Sequence, residues 1–417
     1  MSVPATPAVR NRLPLMALLA ANAVSLVGNM LAAIGIPWFV LQTTGSAAQT
    51  GITGFFTILP VVLAGFLGGT LIDRLGYRRT SVIADLASGI TVALIPLLHF
   101  SIGLEFWQLM ALVFLGALLD APGNTARDAM IPELAELAGM PIERATALIQ
   151  IIERGSRLVG APLAGVLIAV MGTANMLWAD AVSFSVSAAA VLLVVPAAQT
   201  RPAAAAQGRY FDQLLEGMKF LRGDRLILSM VIIIMVTNFL DAAFGGVVLP
   251  VYVDQVFDDA LNLGLIIAAG GGGAVVGALI FGAVGHRLSR FGVFLVGFVL
   301  TGLRFWVFLF YPSLGVILLA GFVAGVAAGP INPIIGAVEF ERIPPDMRGR
   351  VFGAVTAGAW VAMPLGTLLG GLFTERFGLG PVLTLLGLAY LVTTLSIALV
   401  PDMRAMNRPP VSLPAGG

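Results

Sequence analysis

The sequence predicts an all-α membrane protein in which twelve helices cross a lipid bilayer as two pseudo-symmetric halves of six. Three observations lead to this class. Hydrophobic residues make up 58% of the 417 residues and charged residues only 11%, whereas a soluble domain carries about 25% charge. Twelve apolar stretches reach the roughly 20 residues that a transmembrane helix needs. The basic residues alternate from one side of these stretches to the other.

The apolar stretches fall into two groups of six, which define an N-terminal half (1–196) and a C-terminal half (226–400). The spans of the first half are predicted at 13–41, 48–72, 80–100, 106–127, 143–170 and 174–196. Those of the second half are predicted at 226–250, 263–285, 291–311, 314–338, 350–374 and 381–400. A tail, 401–417, follows the last span.

The polar interval between the halves, 197–225, begins as a linker rich in proline and alanine. It continues as an amphipathic stretch from Tyr210 to Leu221. Charged and apolar residues in such an arrangement predict a helix that lies in the membrane interface. The alternative is a solvated tether.

The distribution of basic residues gives the orientation. Nineteen of the 23 Lys and Arg residues lie in the termini and in alternate loops, all on one side of the predicted spans. The loops on the opposite side hold only Arg376. Because cytoplasmic loops are enriched in Lys and Arg, both termini are expected in the cytoplasm.

Several function classes are disfavoured by composition. A net charge of +1 gives no excess of positive charge with which to bind nucleic acid. The chain has no cysteine, its two histidines stand far apart, and no G-x-x-x-x-G-K-[ST] phosphate loop occurs. We therefore expect no metal, cofactor or catalytic site, and an ion gradient rather than ATP as the energy source.

A charged loop joins the second and third predicted spans, with the sequence G-T-L-I-D-R-L-G-Y-R-R over residues 69–79. A loop this short can clamp two membrane helices on one face of the bilayer, and a clamp that opens and closes is what a transporter needs. Asp85, about two turns into the next span, is expected to reach Arg78 or Arg79. The alternative is a static surface cluster that stabilises little. The gate candidates in this loop are Gly69, Asp73, Arg74, Gly76, Arg78 and Arg79.

The fifth predicted span carries small residues and a proline within 155–165. Small residues permit close helix contact, and a proline removes a backbone hydrogen bond. Packing without mechanistic meaning is the alternative. The candidates are Gly155, Gly160, Pro162 and Gly165.

Charged residues inside predicted spans are costly and mark a pathway or an ion pair. Asp241, Glu153 and Asp120 are predicted proton carriers, with Arg157 as counter-ion because it stands four residues after Glu153. Asp180 is a weaker candidate for a proton carrier, because a structural role is favoured for it. Permanent pairing is the alternative for each acid, and Arg304 has no evident partner.

A substrate cavity would be mostly apolar with few polar anchors, which favours amphipathic ligands. Ordinary helix packing explains each candidate equally well. The candidates are Asn29, Trp38, Asn238, Phe239, Phe244, Trp360 and Met363.

The loop at 69–79 resembles the loop between helices 2 and 3 of the major facilitator superfamily, apart from Tyr77, where a basic residue is more usual. The stretch at 282–290 is a degenerate repeat of it, and the span-5 pattern is similar to the antiporter motif. Further segments resemble the third drug:proton antiporter group, above all the Tap-type actinobacterial multidrug efflux pumps. These segments are 37–42, 45–47, 126–133, 329–333 and 348–353.

The resemblance implies a major facilitator fold, and a proton-coupled exporter of small amphipathic drugs that works by alternating access in the bacterial cytoplasmic membrane, as a monomer. It also implies that Asp73 meets Arg127, at the end of helix 4, and the start of helix 11 near Arg350. One alternative is an exporter of a single native metabolite, siderophore or lipid-like. A weaker one is a polytopic membrane transferase, for which only the acidic residues Asp254, Asp258 and Asp259 come close to a metal site.

Overall fold

A computed structural model describes residues 11–196 and 210–407, with the side chains of 65–74 and 210–213 outside the described part. The described chain is helical, without a β-strand, as predicted. Its α-helices are α1 (Leu13–Thr44), α2 (Ala47–Leu75), α3 (Tyr77–Ser101), α4 (Phe106–Leu137), α5 (Ile142–Met171), α6 (Thr173–Val194), α7 (Tyr210–Gly223), α8 (Arg225–Ala243), α9 (Leu249–Phe257), α10 (Ala260–Val284), α11 (Arg290–Leu309), α12 (Leu314–Ala328), α13 (Ile331–Arg342), α14 (Arg348–Trp360), α15 (Met363–Phe377) and α16 (Leu379–Leu399).

The described residues form twelve helical stretches that are long and apolar enough to cross a membrane, which confirms the predicted number. Eight of the twelve consist of a single α-helix, the eighth adds a 3-10 turn (Gly285–Arg287) to α10, and three are interrupted. The seventh stretch joins α8 and α9, the tenth α12 and α13, and the eleventh α14 and α15.

Each interruption coincides with glycine or proline residues. A π-helical segment, Phe244–Val248, separates α8 from α9 and contains two consecutive glycines. Pro330 separates α12 from α13, because proline has no backbone N–H to continue the helix. Pro364 stands in the first turn of α15, where a proline is tolerated.

Glycines allow α10 and α12 to pack backbone against backbone. A Cβ atom on Gly277 would collide with the carbonyl oxygen of Val326, and one on Gly325 would collide with that of Gly270. Membrane helices associate through such small-residue contacts, since lipid supplies no hydrophobic driving force between them.

The predicted amphipathic helix is present as α7, which packs against α14. Glu216 and Arg350 form an ion pair of 2.6 Å between these helices. Gly217 lies so close to the backbone of Arg350 that a Cβ atom would collide with it. Residues 197–209 of the predicted linker lie outside the described part.

The described residues divide into two compact units. The first unit comprises 11–33, 63–160 and 174–196. The second unit comprises 34–62, 161–173 and 210–407, so α1, α2 and α5 each contribute one end to it.

Candidate functional site

A buried ion pair lies at the centre of a polar network in the first unit. Arg127 Nη1 of α4 is 2.6 Å from Asp85 Oδ1 of α3, and the two side chains are only 1% and 0% exposed. The hydroxyl of Ser187 on α6 donates to the second carboxylate oxygen at 2.7 Å. Arg127 Nη2 also donates to the hydroxyl of Ser25 on α1, so the network joins four helices.

The predicted contact of Asp85 with Arg78 or Arg79 is wrong. Asp85 belongs to the buried face of α3 and meets Arg127 across the helix interface. Arg78 instead donates to the backbone carbonyl of Leu192, and Arg79 is exposed. Spacing along α3 gives the possible neighbours of Asp85 on the same helix. In the structure, the face of α3 that carries Asp85 is turned towards α4, so its partner lies on that helix.

The network extends from Arg127 to the carboxyl group of Asp120 through Asn124. Arg127 Nη2 donates to Asn124 Oδ1 at 2.6 Å, and Asn124 Nδ2 donates to Asp120 Oδ2 at 2.8 Å. Asn29 of α1 donates to the same oxygen at 3.1 Å. Asp120 therefore has two amide partners and is linked to the guanidinium of Arg127 only through Asn124.

Asp180 of α6 is a second buried carboxyl group, with 0% exposure. Its Oδ1 accepts a hydrogen bond from Ser183 at 3.3 Å. A Cβ atom on Gly28 of α1 would collide with the side chains of both Ser183 and Asp180, so the absence of a side chain at residue 28 makes room for them.

Among the described residues, neither Asp120 nor Asp180 forms an ion pair. One carboxyl oxygen of each, Oδ1 of Asp120 and Oδ2 of Asp180, is buried without a hydrogen-bond partner. A buried ionised carboxylate without a cation is strongly disfavoured. Both groups are thus suited to hold a proton.

The predicted ion pair between Glu153 and Arg157 is not formed. Gln150 lies at hydrogen-bond distance from Glu153, 3.5 Å, and Arg157 is exposed. Spacing of four residues permits such a pair, but the exposed position of Arg157 gives the contact little to gain over hydration.

Asp241 of α8 forms an ion pair with Arg304 of α11 in the second unit. The guanidinium also lies over the rings of Phe244 and Phe305, with its carbon 5.2 and 5.0 Å from the ring centroids. Sequence analysis found no partner for Arg304, because Asp241 precedes it by 63 residues.

The predicted cavity residues have different environments. Trp38 is 1% exposed, and its Nε1 is buried without a hydrogen-bond partner among the described residues, so its place in a cavity stays a prediction. Asn238 donates to the backbone carbonyl of Ala359 at 2.9 Å. Phe239 and Met363 are half-buried, and Trp360 is 43% exposed.

The charged segment 69–79, predicted as a loop, is helical on both sides of Gly76, because α2 continues to Leu75 and α3 begins at Tyr77. Gly76 has a φ of +79°, a left-handed conformation that favours glycine, and it separates the two helices. The side chains of Asp73 and Arg74, and the surroundings of Gly69, lie outside the described part, so the role of these three residues in a gate remains a prediction.

The predicted packing motif of α5 contains two contacts and one open position. A Cβ atom on Gly160 would lie 2.7 Å from Cβ of Met30, and one on Gly165 would lie 2.8 Å from Cα of Leu261. Gly155 faces open space, which contradicts its predicted packing role. Pro162 lies within α5 without ending the helix.

A seam of close contacts within the second unit joins α2 to α15. A Cβ atom on Gly371 would lie 2.7 Å from Cα of Gly51, so these backbones touch. Glu375 accepts hydrogen bonds from the hydroxyl of Ser46 at 3.3 Å and from the N–H of Ala48 at 3.2 Å. The carboxylate therefore sits at the N-terminus of α2, where the helix dipole favours negative charge.

The helical fold and this arrangement can be compared with known proteins. A family model described as a transmembrane secretion effector matches residues 10–412. The chain belongs to this family, within the major facilitator superfamily. The predicted superfamily is thereby confirmed.

Two curated relatives extend over nearly the whole of this transporter. It is 32% identical to the multidrug efflux pump Tap of Mycobacterium tuberculosis over 405 residues, which covers 96% of each chain. It is 30% identical to the multidrug efflux pump Tap of Mycolicibacterium fortuitum over 398 residues, covering 94% of this chain and 97% of the relative.

The solved structure of the nucleoside transporter NupG is similar in fold to this major facilitator chain. The TM-score is 0.77 at 14% sequence identity, with 92% of this chain and 98% of the other covered. Fold and relatives identify a multi-pass membrane transporter and not an enzyme, so the transferase alternative is wrong. Among the described residues, no three His, Cys, Asp or Glu side chains are grouped as a metal ion requires.

Proposed function

We propose that the protein exports small amphipathic drugs across the bacterial cytoplasmic membrane in exchange for protons, with both termini in the cytoplasm. The observation that carries this proposal is a pair of carboxyl groups, the half-buried Asp120 and the buried Asp180, each with one buried oxygen that has no hydrogen-bond partner and neither in an ion pair among the described residues. The likeness to multidrug efflux pumps over nearly the whole chain supports the substrate class.

The coupling step uses a change in the surroundings of these carboxyl groups. A carboxyl group that is buried away from cations retains its proton, and one that meets water or a cation releases it. Asn124 connects Asp120 to the Arg127–Asp85 pair, so a shift of α4 relative to α3 alters the electrostatic environment of Asp120. Such a shift lets one conformation load a proton and the other release it.

Alternating access requires the seam between α2 and α15 to separate during export. The seam lies at the N-terminus of α2 and the C-terminal end of α15, which is the side opposite the termini in the predicted topology. Its contacts include small residues of both helices, Gly51 and Gly54 on α2 and Thr367 and Gly371 on α15, and one capping carboxylate. We propose that this seam is the outer gate, and that the six-helix halves move relative to each other as it opens.

The test uses everted membrane vesicles with an imposed pH gradient and a fluorescent drug. Wild-type vesicles should accumulate the drug, and Asp120→Asn or Asp180→Asn should abolish gradient-driven accumulation while purified protein still binds the drug. Glu143→Gln, which neutralises an exposed carboxylate on α5, is the matched control and should retain accumulation. Full coupling in both aspartate variants would refute the assignment of these carboxyl groups.

A further inference from the structure

A cavity within the second unit lies beside the Asp241–Arg304 pair. Its volume is about 330 Å³, and its walls come from α8, α9, α10, α11, α12 and the π-helical segment. Cavities that bind small molecules begin at about this size, roughly 300 Å³. Apart from the ion pair and Thr301, the lining residues are apolar, among them Phe244, Ile267 and Phe308.

Two glycines leave this cavity open. A Cβ atom on Gly245 or Gly271 would meet nothing within 4 Å, in contrast to Gly273 and Gly277 on α10, which pack against α12. Gly245 belongs to the π-helical segment, and π-helical turns within α-helical spans are frequent at functional sites. The open space is therefore located where the chain departs from regular helix packing.

The polar end of the cavity offers a carboxylate oxygen as an acceptor, and Nε of Arg304 is a buried donor without a partner among the described residues. Arg304 is engaged by Asp241 and lies over the rings of Phe244 and Phe305, and its side chain is 22% exposed. The carboxylate of Asp241 is 37% exposed, and Arg304 binds one of its two oxygens. A ligand in the cavity can therefore donate to the other oxygen.

We propose that this cavity binds a compact aromatic group of the exported molecule whose edge carries an amine or amide N–H, which donates to Asp241. Arg304 already balances the charge of the carboxylate, so the N–H of the ligand can donate to the second oxygen of Asp241 and the ligand needs no permanent positive charge. A lipid acyl chain would fill the apolar part but would leave the exposed carboxylate without a donor. This inference rests on the proposed export function and names the substrate class.

The test fills the cavity without disturbing helix contacts. Gly271→Leu places a side chain in the open space, and Gly282→Leu is the matched control on the same helix, because a Cβ atom there also meets nothing within 4 Å and Gly282 does not line the cavity. Both changes replace glycine by a stronger helix former. The probes are proflavine, a flat aromatic with amine N–H groups, and tetraphenylphosphonium, an aromatic cation without any N–H.

Binding to purified protein is measured by fluorescence titration for proflavine and by calorimetry for tetraphenylphosphonium. Gly271→Leu should weaken proflavine binding about tenfold or more. The proflavine affinity of Gly282→Leu, and the tetraphenylphosphonium affinity of both variants, should equal those of the wild type. Equal proflavine affinity in wild type and Gly271→Leu would overturn the proposal. So would an equal loss of affinity for both probes, which would indicate an apolar site indifferent to N–H donors.

Vesicle transport separates this inference from the export function. If wild-type vesicles show no gradient-driven uptake of either probe while the binding pattern holds, export by proton exchange is refuted and the cavity assignment stands. If both probes are transported and the binding of proflavine does not respond to Gly271→Leu, the cavity assignment is refuted and the export function stands.

Discussion

The buried pair of Arg127 and Asp85 gives a sharp prediction about stability. Asp85→Asn preserves the shape of the side chain but leaves the guanidinium of Arg127, 1% exposed, without its counter-charge. Removing one partner of a buried ion pair costs about 3–5 kcal/mol, which is a decrease in the folding equilibrium constant of roughly two to four orders of magnitude. The hydrogen bonds of Arg127 to Ser25 and Asn124 remain, so the expected loss in the free energy of unfolding lies in the lower half of this range.

The free energy of unfolding can be measured in bicelles by a steric-trapping assay. Glu216→Gln is the control, because it breaks an ion pair of the same length whose side chains are 53% and 44% exposed, and such a pair contributes about 1 kcal/mol or less. The double variant Asp85→Leu, Arg127→Met should recover most of the loss, since an apolar replacement of both partners strands no charge. A loss below about 1 kcal/mol for Asp85→Asn would refute the reasoning.

Three further predictions concern the seam and the linker helix. Glu375→Gln removes the negative charge that caps the N-terminus of α2. A cysteine introduced at Ala48 into this cysteine-free chain should then be labelled about two- to fivefold faster than the same cysteine beside Glu375. An unchanged labelling rate would count against the cap. Gly371→Leu should hold the seam apart and abolish transport in vesicles while the protein stays folded by circular dichroism, and retained transport would contradict the gate. Gly217→Val should push α7 from the backbone of Arg350 and lower stability by about 1–3 kcal/mol in thermal unfolding, whereas an equal melting temperature would show that the contact is dispensable.

The number and type of the helices were predictable, because an apolar stretch of fixed length is a property of the sequence alone. The interrupted spans were less evident. Pro330 and Pro364 indicate breaks by their chemistry, but the π-helical turn at Phe244–Val248 depends on packing against neighbouring helices. Its two consecutive glycines were the only signal in the sequence.

Charged residues within the spans were also predictable, but their partners were not. Asp241 and Arg304 lie on α8 and α11, and Asp85 and Arg127 on α3 and α4. Sequence spacing predicts neighbours along one helix, such as Glu153 and Arg157, and this was the pair that did not form. A partner on another helix depends on the rotation of both helices, which a single sequence does not reveal.

Each unit holds a carboxyl group within a membrane span, and the surroundings of the two groups differ. A proton on Asp241 would remove the counter-charge of Arg304, whose side chain is 22% exposed. A proton on Asp120 strands no cation, because its hydrogen-bond partners Asn29 and Asn124 are neutral amides. A proton therefore costs less at Asp120 than at Asp241, whose charge balances that of Arg304 and whose second oxygen can accept from an N–H donor. Under the proposed function we expect proton exchange in the first unit and ligand contact in the second, so Asp241→Asn should weaken proflavine binding more than it weakens the pH dependence of transport.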